Sequence, residues 1–544
     1  MIIKDSKCIH NFKRKRERNT GLFSSVMGNM LLVFALYFVI IIPLIWGLKF
    51  LYKIWWRPKR IEKQLKKQGI HGYPYRLLYG NIKEMMKLAK ETKSSPSGSP
   101  HDAVPRANPL LHKLAIAYKK TFVVWYGTSP RVAITDPKLI KEVLSNKNGD
   151  FPKNEISPLI RLFSTGLAVY EGQKWSKHRR IVNPAFHMEK LKQMMPAFST
   201  CCEELIEKWD KSVIESGGSC ELDVFKEFQN FTGDVISRAA FGSSFEEGRK
   251  IFLLQQEQGK LLLQCLVYEK FPLFRFLPTK VNKRMRQIYT EVRKLLRGII
   301  EKRQRALEMG KDWDKEDLLG LMLKSNLNEL QESQNSNGGM TTEDVFEECR
   351  LFYLAGQETT ANLLTWTMVV LSMHMNWQER AREEVLQILG KNKPTFDDLN
   401  HLKIVNMILL EVLRLYPPTL LLRTVVKETK LGDLCLPAGV DLLMPMDLVH
   451  RDPEQWGGDA VEFNPERFSE GISKASKDQV SYFPFGYGPR ICIGQNFAML
   501  ETKLALSQIL QHFSFELSST YTHSPAIGLT LKPQYGAQII LHKI

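Results

Sequence analysis

No C-x-x-C pair occurs in this chain of 544 residues, whose eight cysteines, Cys8, Cys201, Cys202, Cys220, Cys265, Cys349, Cys435 and Cys492, are scattered. That scatter excludes both a disulfide framework and a structural zinc site, and it leaves buried reduced thiols as the expectation for all but Cys492. No metal-ligand spacing links the histidines, and His178 and His187 are expected to be structural. Internal repeats, zinc-finger spacing and a basic zipper are also missing. The formal charge of +18 therefore points to anionic lipid or an acidic protein partner, with no nucleic acid. Hydrophobic content of 44% and charged content of 25% are ordinary for a folded protein large enough to enclose a cavity.

Charge is absent from Asn19 to Leu48. The apolar heart of that stretch, Met30–Leu48, is nineteen residues long. It suffices to cross ~30 Å of hydrocarbon at ~1.5 Å per residue. A cleaved signal peptide is the rival reading, but the run is long for one and no A-x-A-like site follows it. Basic residues flank the span on both sides, so the positive-inside rule gives no orientation. A start at Met27 or Met30 would remove the first cluster. Four segments are expected: a basic extension over 1–29 that is not translated if Met27 or Met30 is the start, an anchor over 30–48, a basic connector over 49–72 and a catalytic body over 73–544.

Within the body, Phe122–Tyr126 and Arg131–Thr135 alternate like strands around a turn at Thr128-Ser129-Pro130. From Asp136 to Gly390 apolar residues recur at three- and four-residue spacing, which predicts helices. Ser325–Gly339 is polar and predicts a surface loop. Short strands, Pro-rich loops and further helices follow Lys391. The fold class read from this pattern is mainly α with a small β component.

The segment FPFGYGPRICIG, Phe483–Gly494, carries the chemistry. Gly486, Gly488 and Gly494 let the backbone turn tightly against a flat cofactor. A helix-like run, Ala498–Phe513, follows directly, so its free N–H groups would stabilise a thiolate at Cys492. Arg490 can hold a carboxylate through two hydrogen bonds. Elsewhere, Glu411 and Arg414 share a helix face among apolar neighbours and predict a buried pair. Trp175 and Arg179, four apart, also share a face. Ala355-Gly-Gln-Glu-Thr-Thr360 interrupts a helix predicted over Thr342–Asn376 with a mid-helix glycine, and a threonine there can bond back one turn.

Phe485, Gly488, Arg490, Cys492 and Gly494 fill every position of F-x-x-G-x-R-x-C-x-G. The segment thereby resembles the haem-binding signature of the cytochrome P450 superfamily. The resemblance implies a cytochrome P450 fold preceded by a single N-terminal transmembrane helix, with heme b bound through the Cys492 thiolate. It implies that Trp175, Arg179, Arg423 and Arg490 bind propionates. Glu411, Arg414 and Arg467 would form a structural core beneath the haem. Thr359 would stand beside the distal oxygen, with Glu358 in its proton relay. Phe352, Ala355, Thr419, Leu420, Leu421 and Leu422 would face substrate. The connector Arg57–Asn81, with Trp-Arg-Pro in place of the usual Pro-Pro-Gly hinge, and Glu358 as the acid look like the plant seventy-two clan. Such enzymes hydroxylate hormones, terpenoids or fatty acids with O2 and electrons from NADPH, through NADPH–cytochrome P450 reductase. The implied site of action is the endoplasmic reticulum membrane, single-pass, with the body in the cytosol. A haem-thiolate isomerase and a haem-binding carrier are the rivals; the Glu358–Thr359 pair argues against the first and the retained relay against the second.

Overall fold

The computed structural model describes residues 36–92, 101–154, 156–242, 245–265, 277–310, 317–332, 339–418 and 420–544, with positions 27, 29, 30 and 34. The extension before Met27 and part of the Met30–Leu48 run thus lie outside the described residues.

The chain divides into two units, Met1–Gln64 and Leu65–Ile544. In the first, the described anchor residues are helical, and the helix Leu36–Lys67 is the one described helix long and apolar enough to cross a membrane. A π-helical turn, Tyr52–Trp56, interrupts it. Trp46, Phe50, Trp55 and Trp56 are exposed, as amphipathic aromatics at a membrane–water boundary are.

The second unit is built around one helix, Thr342–Met373. A capping box between Thr341 and Asp344 starts it, satisfying the first free N–H groups. It is buried on most of its circumference: Leu363–Leu371 is largely apolar, and the first half buries Glu347, Glu348 and Arg350 among its apolar residues. It ends at His374, short of the expected Asn376, and a new helix, Met375–Leu389, begins at once. The hairpin forms where expected, over Thr121–Tyr126 and Ser129–Ile134, with the turn moved to Gly127-Thr128 because Gly127 takes a positive φ of 60°. It belongs to a five-stranded mixed sheet in the order His71–Gly72, Thr121–Tyr126, Ser129–Ile134, Asp441–Met444, Leu421–Thr424. A three-stranded antiparallel sheet joins Ser219–Asp223, Gln538–Lys543 and Phe513–Leu517.

One expectation is corrected. Ser325–Gly339 is not a loop throughout: the helix Leu318–Glu332 covers its first half. Leu318, Leu319, Met322 and Leu323 bury one face, and the polar residues after them are the exposed continuation of that helix. Asn326 fastens it by exchanging hydrogen bonds with the Met340 backbone, at 3.1 and 2.5 Å.

Candidate active site

The cysteine loop is shaped by its own glycines. Gly486 and Gly488 have φ of 75° and 71°, a region costly to any other residue. At Gly488 a Cβ would also lie 2.5 Å from the Leu144 carbonyl oxygen, so the chain crosses there at backbone contact. The Cys492 N–H donates to the Phe485 carbonyl at 2.8 Å and closes the loop. Gly494 caps the helix Gln495–His512, and its N–H donates to the Cys492 sulfur. Burial pushes the Cys492 thiol up, while that N–H, Arg179 and Lys153 pull it down. Cys492 is exposed by surface area and yet surrounded by protein, the signature of a group lining an interior space.

Four cations gather beside it. Arg490 pairs with Glu171, donates to the Tyr170 carbonyl at 2.9 Å and lies 4.2 Å above the Trp175 ring. Arg179 donates to the Ile491 carbonyl at 2.9 Å, and Arg423 to the Leu422 carbonyl at 2.7 Å. Lys153 reaches the Ala168 carbonyl at 2.7 Å. Among the described residues, Glu171 is the acid that opposes these charges within the group. Burial and the neighbouring Arg423 and Arg490 push Lys153 down to about 7, and burial with Arg490 pushes Arg423 down to about 10. Buried like charges at such short range are tolerable when an anion can join them. The thiol of Cys492 can supply the axial ligand, and the excess of cations beside it can pair the propionates, of the haem that the resemblance implies. The donor set therefore fits haem.

Beneath the loop, Glu411 and Arg414 are fully buried and joined by two bonds of 2.7 Å. Arg414 also donates to the carbonyls of His450, Ala460 and Glu462, and Arg467 adds a bond of 3.4 Å to Glu411. The desolvation that makes buried pairs expensive is thus offset by filling the lone pairs around them. On the central helix the Thr359 hydroxyl donates to the Ala355 carbonyl at 2.6 Å. Gly356 has a packing reason: a Cβ there would lie 2.8 Å from Ile236 Cδ1. Close by, Thr232 donates to the Gln357 carbonyl at 2.9 Å, and the Gln357 side chain to the Gln229 carbonyl at 2.9 Å.

The cytochrome P450 family profile matches residues 106–540. The chain is a cytochrome P450. It is 56% identical to "Cytochrome P450 CYP72A616" of Paris polyphylla over 90% of this chain and 95% of that protein. It is 55% identical to "11-oxo-beta-amyrin 30-oxidase" of Glycyrrhiza uralensis over 92% of this chain and 96% of that one. "Cytochrome P450 72A15" of Arabidopsis thaliana is 50% identical over 92% and 96%. The seventy-two resemblance holds at this level. Membership makes this P450 a haem-thiolate oxidoreductase that uses O2.

In this P450 the structure brings Trp175, Arg179, Arg423 and Arg490 together with Cys492, and Glu411, Arg414 and Arg467 with one another. The substrate-facing set divides. Ala355 is exposed toward the interior and Thr359 half-buried. Phe352 is buried edge-on to Phe186, whose ring itself lies beside Gly494 of the cysteine loop. Leu421 shares a strand face with Arg423, since side chains alternate. Leu420 and Leu422 turn the other way and pack on the sheet core with Leu443. Thr419 lies outside the described residues. Sequence reasoning missed Lys153, Glu171 and Thr530. A lysine after Phe-Pro, an acid before a glycine and a threonine near a hairpin carry no local signal; only the fold makes them neighbours.

Proposed function

We propose that this P450 hydroxylates a lipophilic terpenoid, with electrons from NADPH through NADPH–cytochrome P450 reductase, at the endoplasmic reticulum membrane. Residues 30–48 anchor it, 49–72 connect and 73–544 carry the chemistry in the cytosol. The observation that carries the reading is the Cys492 loop set beside four cations and one carboxylate. The relative named as an 11-oxo-beta-amyrin oxidase supports the substrate class.

Haem, when bound, supplies reductive activation of O2. The protein's own work surrounds that step. Cys492 offers its sulfur as ligand; burial raises its proton affinity, and the Gly494 N–H, Arg179 and Lys153 offset part of that rise. Arg179, Arg423, Arg490 and Lys153 hold carboxylates, Arg490 being oriented by Glu171 and Trp175. Glu411, Arg414 and Arg467 keep the layer beneath rigid. The Thr359 hydroxyl holds a proton against the Ala355 carbonyl, and the Glu358 carboxyl supplies its replacement. Ala355 and Leu421 offer apolar surface to the substrate.

The test uses full-length protein with reductase in microsomes. Reduction under carbon monoxide should give the red-shifted Soret band of a thiolate-ligated haem. Incubation with 11-oxo-beta-amyrin, gibberellins, brassinosteroids, cytokinins and fatty acids should give an NADPH-dependent product one oxygen heavier, with triterpenoids preferred. Folded, haem-replete protein without that band sinks the monooxygenase reading. Oxidation confined to a non-terpenoid sinks the substrate class.

A further inference from the structure

The acid of the Glu358–Thr359 pair has a partner far along the chain. Its Oε1 accepts a hydrogen bond from the Thr530 hydroxyl at 2.6 Å. The same hydroxyl oxygen accepts from Asn362 Nδ2 at 2.8 Å. Asn362 stands one helical turn after Glu358, so both side chains leave the same face of the central helix and converge on Thr530. Asn362 and Thr530 are buried, at 2% and 8% exposure. A hydroxyl has one proton to give, and the amide donor already occupies one of its lone-pair directions. Its own proton is directed at Glu358 Oε1, which accepts it.

Thr530 is itself held in place. It lies between the short antiparallel strands Pro525–Ile527 and Leu531–Pro533. The next residue, Leu531, donates its N–H to the Pro418 carbonyl at 3.0 Å, and its own carbonyl accepts from Trp366 Nε1 at 3.1 Å. The preceding residue, Leu529, packs into an apolar cluster with Phe163, Leu262, Met285 and Leu354. The hairpin is thus pinned on one side of Thr530 and set in an apolar wall on the other.

We propose that Thr530 is a positioning residue for proton delivery. Its hydroxyl fixes the Glu358 side chain in one orientation, and the hairpin fixes the hydroxyl, so the acid is aimed by a segment that also forms apolar wall. This rests on the monooxygenase reading above. Thr530→Val keeps the shape, removes the donor to Glu358 and leaves the Asn362 amide without its acceptor. Thr530→Ser keeps the hydroxyl and drops only a methyl.

The experiment compares full-length wild type, T530V, T530S and Asn362→Ala with reductase and NADPH, with and without 11-oxo-beta-amyrin. It reads haem content, the carbon monoxide band and hydrogen peroxide released per NADPH consumed. T530V and N362A should keep the thiolate band while the peroxide ratio rises about threefold or more, since a displaced catalytic group loses efficiency steeply. T530S should stay within about twofold of wild type, because the hydrogen bond survives. A second readout needs no turnover: the melting-temperature losses of T530V and Glu358→Gln should be non-additive in the double variant, as for groups in contact. A wild-type peroxide ratio in T530V or N362A, T530S as leaky as T530V, or additive melting losses would each overturn the proposal. Should T530V not fold, N362A and T530S decide it by the same criteria. A thiolate band missing from the wild type strikes the monooxygenase reading instead, and the melting cycle then still judges the Thr530–Glu358 tie.

Discussion

At the scale of single residues, Lys153 shows how charge in this P450 waits on its neighbours. Its folded pKa, down to about 7, lies below the ordinary lysine value of 10.5. Burial and the neighbouring guanidiniums, taken by themselves, therefore leave the folded chain with fewer protons than the unfolded one between those values, and stability from this group rises with pH across them. Two bound carboxylates restore the charged form, so haem binding takes up a proton and weakens as pH rises above 7. Haem transfer to an acceptor protein should accelerate between pH ~7 and ~9 in the wild type, and Lys153→Met should flatten that dependence while loosening haem at neutral pH. The same residue shows the limit of reading sequence. The Phe483–Gly494 loop was legible because ten positions act at short range. Lys153 and Thr530 were not, since Thr530 meets Glu358 across 172 residues.

Among elements, the cysteine loop allows a sharper comparison. Gly486 and Gly488 share a left-handed backbone but not their surroundings. A Cβ at Gly486 meets nothing nearer than the Arg490 carbonyl at 4.0 Å, whereas one at Gly488 meets Leu144 backbone at 2.5 Å. Gly486→Ala should cost about 1 kcal/mol of backbone strain, and Gly488→Ala about 2 kcal/mol or more because neither backbone can yield. Thermal melting of the haem-loaded variants, beside the yield of carbon monoxide-binding protein, checks the order. The helices and the hairpin were legible from periodicity and turn residues. Ser325–Glu332 misled because a helix exposing one face can end in a polar run, and composition cannot tell that from a loop.

For the molecule as a whole, two buried histidines and one half-buried histidine set a limit on the acid side. Burial, with neighbouring cations, pushes His101 and His450 down to about 3, and burial lowers His374 as well. His450 Nε2 accepts the Phe483 N–H at 3.0 Å, and a protonated ring could not. A histidine whose folded pKa is depressed contributes stability that is complete above its unfolded value of 6.5 and is lost as pH falls toward the folded one. His101 and His450 should each cost about 1.4 kcal/mol per pH unit in that window, with His374 adding in the same direction. The melting temperature should therefore drop steeply between pH ~6.5 and ~5, and less steeply in His450→Gln, which keeps a side-chain acceptor for the loop. Substrate identity was the least legible property, because the apolar surface a ligand meets is assembled from segments far apart in the chain, as the contact of Phe163, Leu262, Leu354 and Leu529 illustrates for the core. The strand Leu421–Thr424 adds a constraint on how such enzymes diverge. With a period of two, a one-residue slip of its pairing against Asp441–Met444 would exchange its faces, turning Arg423 away from the cysteine loop and Leu422 toward it. Descendants of this scaffold can explore new ligands by replacing Leu421, provided that register is kept.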